Sequence, residues 1–113
     1  MASPIAPITE QMKDGFEGYK PESPGDMIDF FKEFPEFFEG AAEALTNLSS
    51  RMRDEMPLHP GLADKMSELA ATMAGMRDEA TDMHRQFTEV HAPDIRRAEE
   101  PRQNERAWDV GNG

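Results

Sequence analysis

The sequence predicts an all-α protein: an antiparallel two-helix hairpin, coiled-coil-like, that dimerises into a four-helix bundle and carries flexible N- and C-terminal arms. Three observations predict it. Strand formers are scarce, with Val only at 90 and 110 and Ile only at 5, 8, 28 and 95, while Ala, Met, Glu and Leu abound. Two long apolar runs alternate spacings of four and three. A short segment with two prolines, MPLHPG at 56–61, separates those runs.

Taken in order, residues 1–22 carry Pro4, Pro7 and Pro21 among small and charged residues and read as an extended arm. The hairpin follows over 23–92. Ser23-Pro24-Gly25-Asp26 resembles a capping box, with Pro24 at the first helical position and Asp26 near the positive end of the helix dipole. The first helix, expected over 24–56, has its seam at Met27, Phe31, Phe34, Phe38, Ala41, Leu45, Leu48 and Met52. Pro35 lies inside it. An interior proline costs about 3 kcal/mol and frees a carbonyl, so a kink is expected there, although the seam keeps its phase.

Pro57, Pro60 and Gly61 place a turn at 57–61. The second helix, expected over 61–92, repeats the pattern at Leu62, Met66, Leu69, Met73, Met76, Ala80, Met83, Phe87 and Val90. So short a turn makes the helices antiparallel. Phe31 then faces Phe87, Phe38 faces Ala80 and Ala41 faces Met76, so that large residues meet small ones. Pro93 is expected to end this helix and begin a tail at 93–113, in which DIRRAEE can make a short helical turn and PRQNERAWDVGNG, holding the single tryptophan Trp108, is expected to be flexible.

The stretch DFFKEFPEFFEG at 29–40 holds five phenylalanines. Three belong to the seam. Phe30 and Phe37 lie seven apart on a flanking stripe, with Ala44 beyond them and Ile28 on the other side. A two-helix hairpin covers only part of that surface. Ile28, Phe30, Phe37 and Ala44 are therefore the interface candidates, with Trp108 as a docking anchor in the tail. The expected occupant is a second copy, which makes the protein a homodimer, or the helix of another protein. Phe16 and Tyr19 are the internal alternative. Gly40 and Gly75, at similar heights on outward positions, weaken both helices locally.

Composition removes several function classes. The formal charge is −11, which repels a phosphate backbone, so no direct nucleic-acid binding is expected. No apolar run approaches the roughly 20 residues of a membrane span, and acidic residues interleave the rings, so no membrane insertion is expected. The start, MASPIAPITEQMK, lacks the pattern of a secretory signal, and the expected location is cytoplasmic. Without cysteine there is no thiolate site or disulfide. His84 and His91 are two turns apart, too far for one metal ion, and no Glu-x-x-His pair, P-loop, GxGxxG, GxSxG or HExxH motif occurs. No catalytic residue, metal or cofactor is expected. The reading is a non-enzymatic interaction or scaffold protein. Glu33, Glu36, Glu39 and Glu43 add a further option, an acidic mimic that occupies a basic protein surface.

Two resemblances extend this reading. GFEGYKPESPGDM, EMPLHPG and NERAWDV resemble short uncharacterised proteins of actinobacterial plasmids and integrative conjugative elements. That resemblance implies a role around conjugal transfer or element maintenance, with no catalytic residues attached. By architecture alone, residues 24–92 are similar to the WXG100 family of leaderless secreted hairpins. The turn here reads MPLHPG in place of Trp-x-Gly, and the family's Tyr-x-x-x-Asp/Glu signal has no counterpart, since Tyr19 is the single tyrosine.

Overall fold

A computed structural model describes residues 3–99; Trp108 lies outside the described residues. Those residues are all-helical: α1 (Ile5–Glu17), α2 (Pro24–Asp54), α3 (Pro60–Val90) and α4 (Ala92–Glu99). Among them there is no strand.

The helix α1 replaces the extended arm expected over 1–22. Its prolines do not oppose it. Pro4 is the N-cap and Pro7 falls in the first turn, where backbone N–H groups have no helical partner to lose. Behind them Ile5, Ile8, Met12 and Phe16 recur at helical spacing and give α1 an apolar side. No residue of α1 is buried.

Local chemistry sets the bounds of α2 and α3. Ser23 has extended backbone, and its hydroxyl accepts the Asp26 N–H at 3.2 Å. The Asp26 carboxylate in turn accepts the Glu22 N–H at 2.8 Å. Arg51 and Arg53 occupy the last turn of α2, where the carbonyl end of the dipole favours cations. His59 caps α3 by accepting the Gly61 N–H on Nδ1 at 3.0 Å. A Cβ on residue 61 would stand 3.0 Å from that nitrogen, so a larger residue there would push the His59 ring aside by a few tenths of an ångström. α2 continues without a break through Pro35, and α3 closes with the His91 N–H on the Phe87 carbonyl at 3.0 Å. Pro93 falls in the first turn of α4, and the short helical turn expected at DIRRAEE is an eight-residue helix that begins just before the proline.

α2 packs against α3. The rings of Phe31 and Phe87 stack at 4.6 Å near one end. Near the other, the Ser49 hydroxyl donates to the Ala63 carbonyl at 2.8 Å, and Arg53 pairs with Asp64 at 2.8 Å. The two helices therefore run antiparallel.

The face that α3 turns inward differs from the expected seam. Ala63, Ala70 and Ala80 are its buried residues, with Met66, Met73, Arg77, His84 and Phe87 half-buried. Relative to the predicted seam, Met66, Met73, Ala80 and Phe87 keep their places. Leu62, Leu69, Met76 and Met83 give way to the residue after each, while Val90 and the C-cap His91 after it are both exposed. The cause is fit. α2 brings Phe31, Phe34, Phe38, Leu45, Leu48 and Met52 to the contact, which leaves room for alanine rather than leucine opposite. A rotation of about half a residue step, roughly 50°, satisfies this.

A candidate interaction surface

The rotation gives the α2–α3 pair two unlike sides. On one, Glu39, Ala42, Glu43, Thr46 and Asn47 of α2 and Ala74 and Arg77 of α3 line an open groove of about 510 Å³. The Arg53–Asp64 pair lies on this polar side as well, by helical phase.

On the other side, seven-residue rows place Met27, Phe34, Ala41 and Leu48, with Phe30, Phe37 and Ala44 beside them, along α2. Along α3 the same side carries Leu62, Leu69, Met76, Met83 and Val90. None of these twelve is charged. The five on α3 are 39 to 73% exposed.

Phe16 and Tyr19 cover part of this side. Phe16 meets Phe37 edge-on at 5.3 Å and Phe34 at 6.2 Å. Tyr19 stacks on Phe30 at 4.8 Å, and its hydroxyl donates to the Asp26 carbonyl at 3.1 Å. Phe30 also lies 5.4 Å from Phe34, so the rings form one continuous cluster on α2. The Tyr19 phenol is pushed above its ordinary value of 10.0, chiefly by loss of hydration and then by the carboxylates of Asp26, Asp29 and Glu33.

Of the interface residues named from sequence, Phe30 is half-buried beneath Tyr19, Phe37 is 40% exposed beside Phe16, and Ala44 is exposed on the same row. Ile28 is half-buried on the opposite flank, in phase with Pro35 and Ala42, and does not join them. The α3 stripe is what sequence reasoning missed as surface. Its signal was present, because Leu62 and Leu69 are each followed by an alanine, Ala63 and Ala70, small enough for a close helix contact.

Among the described residues, no three His, Asp or Glu side chains gather where a metal ion would sit, and no buried side-chain polar atom lacks a partner. No helix of the described residues is long and apolar enough to cross a membrane. The chain matches no protein-family model, no curated protein and no solved structure.

Proposed function

We propose that this is a non-enzymatic interaction protein whose α2–α3 hairpin associates with a second copy through its apolar side, forming a helical bundle. One observation carries the reading. Among the described residues no large side chain is fully enclosed, and the buried core consists of three alanines. Helices of this length draw most of their stability from packed apolar faces, so a pair with so little interior leaves its own driving force unused.

The uncovered area fits this. Five α3 side chains at about half exposure, with Phe37 and Met27, offer roughly 650 Å² in all, at the lower end of the roughly 600–1,000 Å² that each partner contributes to a standard interface. Carboxylates on the polar side stay hydrated in such an assembly. The resemblance to short proteins of actinobacterial mobile elements supports a role as a scaffold in transfer or maintenance of such an element, in the cytoplasm.

Gel filtration of two double variants tests the reading. Phe37→Glu with Met76→Glu should lengthen elution to that of a single chain, whereas Glu39→Gln with Glu43→Gln should not. Equal elution of both variants and the parent chain at single-chain size would remove the proposal.

A second reading has its own support in Glu39 and Glu43, which open onto the polar groove. In it, this acidic flank binds a basic protein surface. Such binding weakens as salt rises.

A further inference from the structure

We infer that the second copy seats against α3 antiparallel, with the molecular two-fold axis passing beside Met76. This rests on the self-association proposed above and specifies its geometry.

The stripe Leu62, Leu69, Met76, Met83, Val90 is evenly spaced and centred on Met76. A two-fold axis there sets Leu62 against Val90 of the partner subunit, Leu69 against the partner's Met83, and Met76 against itself. The surface is thus self-complementary, as an isologous contact requires. The row beside it on α3, away from α2, reads Lys65, Thr72, Glu79, Gln86. Antiparallel pairing brings Lys65 near Gln86 and Thr72 near Glu79. Parallel pairing stacks Lys65 on Lys65 and Glu79 on Glu79, which places like charges at an apolar contact.

Length excludes occupants from within the chain. The stripe runs about 42 Å at ~1.5 Å per residue, while the 13 residues of α1 span about 20 Å. α1 is also engaged elsewhere, through Phe16 on the α2 rings. Residues 100–113 offer only Ala107, Trp108 and Val110 as apolar side chains, too few and too close together for five sites. An α3 helix of another copy has the right length and the same stripe.

Single cysteines test the register, since the chain has none of its own. A disulfide needs Cα atoms within about 7 Å, so it reports close pairs alone. Full-length Met76→Cys should oxidise to a covalent dimer and move to doubled mass on a non-reducing gel. Leu69→Cys and Met83→Cys should each stay single when oxidised alone and cross-link when mixed. Dimerisation of Leu69→Cys with itself would indicate parallel pairing and overturn the inference. So would Met76→Cys staying single while light scattering of its reduced form reports a dimer, an outcome that leaves self-association standing on another surface. If the parent chain scatters as a single chain, or cross-links form only to another protein, both the register and the self-association fail.

Discussion

Ser49 donates its hydroxyl to the backbone carbonyl of Ala63 at 2.8 Å, and the two are among the most buried of the described residues. A small polar residue against alanine lets α2 and α3 approach closely at that level, and the hydrogen bond satisfies the hydroxyl that burial would otherwise strand.

This contact predicts where bulk is refused. Ser49→Ala should lower stability by about 1 kcal/mol, the net value of an ordinary hydrogen bond. Ala70→Leu should cost about 1–3 kcal/mol through overpacking, although Ala70 lies off the seam read from the sequence. Thermal melting followed by circular dichroism distinguishes the two seams. Were Leu69 the inward residue, Ala70→Leu would be neutral.

Tyr19 supplies a titration. It is the single tyrosine, so the tyrosinate absorbance band reports on it alone. Its midpoint should lie above 10.0, and Phe30→Ala, which reopens the ring to water, should bring it down more than Asp29→Asn or Glu33→Gln. Because the folded value is raised, the associated stability is complete below pH 10 and is lost as pH climbs through the folded midpoint. A midpoint at or below 10 would mean that the Tyr19–Phe30 stack does not persist in solution.

Gly40 and Gly75 have open space where a Cβ would stand. Neither glycine is demanded by close approach within the chain, and each sits inside a helix. Replacing either with alanine should therefore raise stability by about 0.5–1 kcal/mol, measured by urea unfolding. Destabilisation by Gly75→Ala would instead mean that another surface approaches α3 there.

Much of this was legible in the sequence, and the rest failed for physical reasons. The caps at Ser23 and the turn before Gly61 are local chemistry and read directly. The Phe31–Phe87 facing pair follows from period and turn length, since both rings lie on rows that the rotation of α3 leaves unchanged. α1 was hidden because Pro4 and Pro7 look like breakers until their positions in the first turn are known. The inward face of α3 was misjudged because a sequence pattern ranks residues by size. Packing ranks them by fit, and it buries Ala63 and Ala70 rather than the larger Leu62 and Leu69 before them. Of the proposed surface, Phe37 and Ala44 were found from spacing, whereas the α3 stripe was mistaken for core.

Salt should separate the two functional readings. Each chain carries a formal −11, so bringing two together works against their mutual repulsion. Raising ionic strength shortens the screening length from about 10 Å at 0.1 M to about 3 Å at 1 M, and an apolar self-association should strengthen accordingly. Sedimentation equilibrium at both salt concentrations checks the sign. Dissociation at high salt would favour charge-driven contact through the Glu39–Glu43 flank.

The most direct test of self-association is the light-scattering mass of the full-length protein over a range of concentrations. The account predicts a mass twice the 12.7 kDa of one chain, returning to 12.7 kDa when Leu69 and Met76 are both replaced by glutamine. A parent chain that stays at 12.7 kDa up to millimolar concentration would contradict it.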